Sequence, residues 1–182
     1  MHRDVPEDRG ASTPGPGPIA ALLTADHERL DALLRRAFAT PGAIDHEAYA
    51  PFRKGLLRHI GMEEKILLPA AQRARGGEPL PSAARLRLDH GALAALLVPS
   101  PTAAIARAIR TILERHNALE EGPAGVYETC EQLAGPEAEE LLTTLAAAPE
   151  VPVGRHVDSP LVLEATRRAL RRAGYDPAAL GL

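Results

Sequence analysis

Apolar residues return every three or four positions along most of this chain and nowhere alternate with polar ones for long. That period belongs to helices with one buried face, and it leaves no segment that reads as a strand. Leu23, Leu30, Leu33 and Leu34 form the first stripe. They predict a helix that starts at Pro18, a residue suited to the first helical position, and runs to about Ala39, where Pro41-Gly42 breaks it. A second, long helix is expected from about Asp45 to Arg75. Pro51 is an alternative start, Pro69 is a kink or a last-turn marker, and Gly76-Gly77 is the stop. The third helix starts near Pro81-Ser82 and ends before Pro99. The fourth opens at Ser100-Pro101 with the serine as its cap and runs to about Glu121, where Gly122-Pro123 interrupts it. Residues 124–134 continue it at an angle. A short helix is expected over about 136–147 and a last one over about 159–173, beyond a Pro-rich linker at 149–152.

Four main helices with short connections predict an all-α fold: an up-down-up-down antiparallel four-helix bundle over residues 18–134, with additional short C-terminal helices over 135–182. Residues 1–17, mostly Pro, Gly and charge, read as a disordered tail. Of the 182 residues 45% are hydrophobic but only 3% aromatic, with no Trp, so Ala and Leu must fill the core, as helices favour. A net charge of -3 gives neither a nucleic-acid surface nor strong attraction to a membrane. Cys130 is the only cysteine, which excludes an intramolecular disulfide and a cysteine metal knuckle. With no targeting signal and no apolar run of spanning length, the expected location is cytoplasmic.

The chain repeats itself. ADHERLDALL (25–34) sits over LDHGALAALL (88–97), and HIGMEE (59–64) sits over HNALEE (116–121). One helical hairpin is thus used twice, each copy giving one histidine and then a His-x-x-x-Glu. His27 is in register with Leu23, Leu30 and Leu34, and His90 with Leu86, Leu93 and Leu97, so both face the core. His59 and Glu63 share a face with Leu56, Ile66 and Ala70; His116 and Glu120 share one with Ile109, Ile112 and Leu113. Residues i and i+4 lie about 5–6 Å apart at Cβ and can reach one ion. Counted from the turns, the heights of His27 and His59 agree. His90 and His116 agree less well, at about eight and about fifteen residues from theirs.

Four histidines and two carboxylates facing an apolar core without a partner would be destabilising. An unpaired buried carboxylate costs several kcal/mol against a total stability of about 5–15 kcal/mol. A cation resolves this. Imidazole and carboxylate without thiolate suit iron, manganese or zinc, and six protein residues are too many for one tetrahedral zinc. They suit two ions, each with two histidines, bridged by Glu63 and Glu120. About eight of roughly twelve positions are then filled, leaving room for an oxo or hydroxo bridge and about one open position per ion.

His27, His59/Glu63, His90 and His116/Glu120 follow in order the H…HxxxE…H…HxxxE pattern, and the set resembles the hemerythrin-like family, the HHE cation-binding domain. The resemblance covers about residues 18–134, including the EEKILLP stretch (63–69) that ends the second helix. It implies two iron ions in an oxo- or hydroxo-bridged di-iron centre, with manganese or zinc as alternatives. It also implies a role in binding or sensing a small ligand (oxygen, nitric oxide or peroxide) in stress response or iron handling. The oxygen carriers of the family have a further histidine where this chain has Ala94, and an aspartate where it has Glu121. Four histidines rather than five fit a simple carrier poorly and suit the branch tied to nitric-oxide response and iron-centre repair. Two other readings stand beside it: a di-iron enzyme reducing peroxide or nitric oxide, and a metal-independent helical interaction module. Neither Glu-x-x-His of the ferritin type nor HExxH of zinc proteases occurs.

Glu64 and Glu121 read either as solvated or capping residues or as hydrogen-bonding support for the ligand histidines. Asp26 and Asp89 could likewise support the site but read as surface residues, because neighbours on a helix point apart. Tyr127 reads as packing, with an entrance lining as the alternative, and Cys130 as a small buried hydrophobe. His2, His46 and His156 are left out of the site. Arg167, Arg168, Arg171 and Arg172 read as a solvated face.

Overall fold

The computed structural model describes residues 15–182, so most of the N-terminal tail expected over 1–17 lies outside the described residues. Among the described residues every regular element is helical: α1 (Pro18–Ala37), α2 (His46–Met62), α3 (Leu68–Ala74), α4 (Ala83–Leu96), α5 (Ala103–Glu121), α6 (Val126–Ala134), α7 (Ala138–Ala146) and α8 (Pro160–Arg172). A π-helical turn, Glu63–Leu67, joins α2 to α3, so the long second helix runs unbroken from His46 to Ala74. No helix among the described residues is long and apolar enough to cross a membrane.

Local chemistry sets the helix ends. Asp45 accepts from the backbone N–H of Ala48 at 3.0 Å and starts α2 at His46, ahead of Pro51. Pro51 is tolerated because it and the carbonyl it strands on Glu47 sit on exposed residues. The α5 cap is Thr102, whose hydroxyl accepts from Ile105 N–H at 3.2 Å; it is not Ser100. Ser100 is engaged elsewhere, donating its hydroxyl to Asp158 at 2.6 Å. At α1, Gly17 leaves room for the Glu131 carboxylate, which accepts from Ile19 and Ala20 N–H at 3.2 and 3.1 Å; a Cβ at position 17 would come within 2.2 Å of that carboxylate.

Pro69 acts one turn upstream of itself. It has no N–H, and in a regular α-helix its ring would press on the carbonyl four residues earlier. The backbone widens instead, with Leu68 N–H bonding to Glu63 C=O. The extra residue in that turn rephases the buried face. Ile66 and Ala70, expected inside, are only half-buried, while Leu67, Leu68 and Ala71 are buried.

Two apolar clusters fill the interior. One gathers Leu30, Leu34, Phe52, Leu56, Leu93, Leu96, Ile109 and Ile112, together with Leu170, Tyr175 and Leu180. The other gathers Ile19, Leu23, Met62, Leu67, Leu86, Val126, Tyr127 and Cys130. Along α1 the histidine lies between Leu23 of one cluster and Leu30 of the other. Along α4 it lies between Leu86 and Leu93. The helices therefore carry their polar residues through a single layer between two dry ones.

The height mismatch of the second hairpin also has an explanation. His90 lies six residues before the end of α4, and His116 thirteen after the start of α5. The start of α5 therefore overhangs α4 by about 10 Å at ~1.5 Å per residue. The C-terminal extension fills the gap. Leu170, Ala173, Tyr175 and Leu180 are buried in the same cluster as Ile105 and Ala108, and Thr166 donates to Ala95 C=O at 3.2 Å. Removing Leu170, which is fully buried, should thus behave as a core deletion. Leu170→Ala is expected to cost about 2–5 kcal/mol in chemical denaturation of the full chain. A loss below about 0.5 kcal/mol, the range of neutral surface changes, would contradict a core role for this extension.

Candidate metal centre

All six residues singled out from the repeat meet in the polar layer. His27, His59, His90, His116, Glu63 and Glu120 are each no more than 6% exposed. Ligand-capable atoms of Glu63, His90, His116 and Glu120 lie within 4.8 Å of one another, as do those of His27, His59 and Glu63. Glu63 belongs to both groups. Its Oε1 is 3.2 Å from His59 Nε2 and its Oε2 2.9 Å from His90 Nε2. Glu120 Oε1 is 3.1 Å from His116 Nε2, and its Oε2 lies 3.6 Å from His27 Nε2.

A ring of four outer carboxylates aims the histidines. Asp26 on α1 sits 2.9 Å from His59 Nδ1 on α2. Glu64, at the end of α2, sits 2.7 Å from His90 Nδ1 on α4. Asp89 on α4 faces His116 Nδ1 on α5 at 3.8 Å, the loosest of the four contacts. Glu121 on α5 closes the ring on His27 Nδ1 of α1. Asp26, Glu64 and Glu121 each accept from an imidazole Nδ1 and turn its Nε2 inward, whereas His116 Nδ1 is buried with no hydrogen-bond partner among the described residues. Asp26 and Asp89 are therefore not the surface residues expected from the sequence. They do point away from the adjacent histidine, and for that reason they reach the histidine of the next helix. Arginines fix this outer layer. Arg29 holds Asp26 at 2.8 Å and Arg87 holds Glu64 at 3.2 Å. Arg85 grips both oxygens of Asp89 at 3.1 and 2.7 Å, and it also donates to Tyr175 Oη and Ala173 C=O near the end of the chain.

Tyr127 is the residue that sequence reasoning missed. Its hydroxyl lies 2.5 Å from Glu63 Oε1 and 3.1 Å from Glu120 Oε2, with His27 Nε2 at 3.1 Å and His59 Nε2 at 3.3 Å. It neither lines an entrance nor merely packs. The turn at Gly122–Gly125 folds α6 back over the end of α5. Gly125 is required there, since a Cβ would meet Glu120 C=O at 2.5 Å. Cys130 is buried as expected, its thiol pushed up to about 12 by burial and then by the charges of Glu63 and Glu120. His46 is exposed, and His156 Nδ1 donates to Pro99 C=O at 2.9 Å. His2 lies outside the described residues. The arginines of α8 do face solvent in part: Arg168, Arg171 and Arg172 are exposed, and Arg171 pairs with Glu164 at 3.2 Å.

The donor set fits a cation. Glu63 Oε2 and Glu120 Oε1 are buried without a hydrogen-bond donor among the described residues. His90 Nε2 and His116 Nε2 approach to 3.1 Å, and two lone pairs at that separation need a positive centre between or beside them. The protonation pattern carries the same message. Burial lowers His59 and His116, but Glu63 and Asp26 around the first, and Asp89 and Glu120 around the second, outweigh it and push both up to about 10. Burial and then the charge of Glu63 push Glu120 up to about 7. Against its own burial, Glu63 is held well below the ordinary carboxylate range by His59 and His90. Burial and then the charge of His59 depress His27. Without an ion, protons occupy the place of the positive charge.

A groove of about 510 Å³ reaches His27 and is walled by Leu30, Leu34, Leu56, Leu113 and Asn117, with the charged residues Asp31, Arg35, Arg110 and Glu114 also lining it. A larger cavity of about 660 Å³ lies under α6 and α7 and touches none of the six residues.

The metal-free chain should have a pH profile set by these shifts. His59, His116 and Glu120 bind protons more tightly folded than unfolded. Their contribution is complete below 6.5 for the histidines and below 4.5 for Glu120, and it is lost as pH rises through about 10 and about 7. Glu63 and His27 are shifted the other way, so their contributions are lost as pH falls through 4.5 and 6.5 toward their folded values. The melting temperature of chelator-treated protein is expected to fall steadily between pH 7 and pH 10. A flat profile across that window would contradict the charge pattern.

The family model for the hemerythrin HHE cation binding domain matches residues 19–124. No curated protein and no solved structure matches the chain. The matched stretch is more than half of the chain and contains all six clustered residues, while Tyr127 lies beyond it. The chain belongs to the hemerythrin HHE cation-binding domain family.

Proposed function

We propose that this chain is a non-haem di-iron protein that binds or senses a small neutral ligand, with His27, His59, Glu63, His90, His116 and Glu120 as the metal ligands. The observation that carries the reading is the inward aim of four Nε2 atoms, three of them backed at Nδ1 by a hydrogen-bonded carboxylate and the fourth faced by Asp89 at 3.8 Å, around two buried glutamates with unpaired oxygens. The reading takes residues 18–134 as an up-down-up-down antiparallel four-helix bundle. In its favour, α1 and α4 enter the polar layer from the Leu23/Leu86 cluster, while α2 and α5 enter it from the Leu56/Ile112 cluster.

Iron, when bound, supplies reversible electron transfer and open positions for a small ligand. The protein's own part is placement and exclusion. Glu63 spans the two halves of the cluster. The hydrogen-bonded outer carboxylates keep His27, His59 and His90 in the metal-binding tautomer and raise their basicity. Leu30, Leu34, Leu56 and Leu113 line the approach, which favours small uncharged molecules such as oxygen, nitric oxide or hydrogen peroxide over charged substrates. One feature favours the peroxide-reducing alternative. Asn117 lines the same groove with a buried carboxamide oxygen that has no hydrogen-bond donor among the described residues, and a peroxide O–H would supply one.

Anaerobic loading with ferrous iron, followed by metal analysis, is expected to give about two irons per chain, the number a six-residue set with two shared carboxylates suits. Retention of less than one would sink the proposal. Asp26→Ala leaves all six ligands in place yet is expected to weaken iron binding about 10–100-fold in a chelator competition. An unchanged affinity would mean that the ring of outer carboxylates does not orient the site. Stopped-flow mixing of the reduced, loaded protein with oxygen, nitric oxide or peroxide separates the two readings, since a binding protein releases its ligand unchanged and an enzyme consumes it repeatedly when a reductant is present.

A further inference from the structure

We propose that Tyr127 is itself a metal ligand, its phenolate oxygen completing the half of the centre built by His27 and His59. The proposal rests on the di-iron reading above and adds to it a residue that lies beyond the stretch matching the family.

The repeat makes the need visible. By pseudo-twofold correspondence His90 pairs with His27 and His116 with His59. The two halves are nevertheless unequal. Four residues meet closely around His90 and His116 and three, His27, His59 and Glu63, on the other side, where Glu120 Oε2 stands 3.6 Å from His27 Nε2. The hydroxyl of Tyr127 enters that poorer half, and the repeat places no tyrosine in the richer one.

Its position is that of a donor sharing an ion with its neighbours. With bonds of about 2.1 Å, adjacent donors on an octahedral ion stand about 3 Å apart. Tyr127 Oη stands 2.5, 3.1, 3.1 and 3.3 Å from Glu63 Oε1, Glu120 Oε2, His27 Nε2 and His59 Nε2. Four is also the number of adjacent positions that any one vertex of an octahedron has. In the metal-free chain the phenol has one proton to give, to Glu63 Oε1 at 2.5 Å, and can accept from protonated His59; Glu120 Oε2 and His27 Nε2, both at 3.1 Å, crowd the same oxygen as donors around one ion would. Tyr127 is 1% exposed, so bulk solvent does not reach it. The tight Gly122–Gly125 turn, closed by Gly125 N–H on Gly122 C=O at 2.7 Å, sets the helix that carries it over the centre.

Ligation breaks the phenol O–H bond, forms an oxygen–metal bond and releases the proton to solvent. Burial and then the negative charges of Glu63 and Glu120 keep the proton on the phenol in the metal-free chain, and a bound cation would neutralise those charges.

The test loads the full chain anaerobically with ferrous iron and then oxidises it with air. The ferric protein is expected to show a visible phenolate-to-iron charge-transfer band, with resonance-enhanced tyrosine ring vibrations that shift when ring-deuterated tyrosine is incorporated. Both signals should vanish in Tyr127→Phe at equal iron content and persist in Tyr175→Phe. Loading the wild type should also release one more proton per chain than loading Tyr127→Phe. Wild-type protein that holds iron but shows no enhanced tyrosine vibrations would overturn the proposal, whatever the variant does, and would leave the di-iron reading standing. Wild-type protein that holds no iron would overturn both, and the iron count alone distinguishes the two failures.

Discussion

Two carboxylates, Glu63 and Glu120, are buried at about 1% exposure in the middle of an Ala/Leu core, and most of the structure answers to that constraint. Neither could stand there alone, because an isolated buried charge costs more than a small domain can supply. Four imidazoles surround them, and each imidazole needs its far nitrogen satisfied. Asp26–His59, Glu64–His90 and Glu121–His27 do this, Asp89 faces His116 Nδ1 more loosely at 3.8 Å, and every contact of the ring crosses from one helix to the next. The polar layer therefore also ties the helices together. Sliding one helix by a turn would break two contacts of the ring and bury charges without partners. Apolar packing above and below sets how close the helices come; the ring sets their register.

The parts outside the repeat make sense from the same layer. Arg85 anchors Asp89, and the C-terminal segment anchors Arg85 through Ala173 C=O and Tyr175 Oη. The extension that follows the family match thus does two things at once. It covers the overhanging start of α5, and it ends a chain of contacts that runs inward to His116. The segment nearer the match, α6, sends Tyr127 to the centre and Glu131 to the start of α1.

The helices, the repeat and the six clustered residues were legible because each is written at helical spacing within one segment. His27 sits on its own leucine stripe, and His59 and Glu63 share a turn, so no partner helix is needed to see them. What stayed hidden depends on pairs of segments. Asp26 and Asp89 point away from their own histidines, which is visible; that they meet the next helix's histidine follows only from the packing. The repeat did hold a signal, since an acidic residue flanks every clustered histidine or its glutamate in both copies. Pro69 announced a disturbance, but not that the backbone would widen upstream of it and move burial from Ile66 to Leu67. Ser100-Pro101 looked like a helix start because both residues favour one; Asp158, distant in sequence, takes the serine and leaves Thr102 as the cap. Tyr127 carried no pattern at all. One tyrosine beyond a Gly-Pro break is ordinary until the turn folds it back.

Symmetry in the sequence and asymmetry in the structure bear on how such a centre would work. The two hairpins offer matching histidines and glutamates, and an isolated pair would give two equivalent halves. Everything added to the repeat then falls unevenly. On the His90/His116 side, Asp89 is fully buried and Arg85 and Tyr175 lie behind it. On the His27/His59 side, Glu121 is a third exposed, the apolar groove reaches His27, and Tyr127 enters from α6. A small molecule that comes through the groove meets His27 first, in the half whose donors include a phenol. His90 and His116 are 3% and 2% exposed, and neither lines that groove. On the di-iron reading the halves would therefore divide the work, one holding its ion firmly and the other meeting the ligand. The distinction arises from the chain beyond the repeat, not from the motif that marks the family.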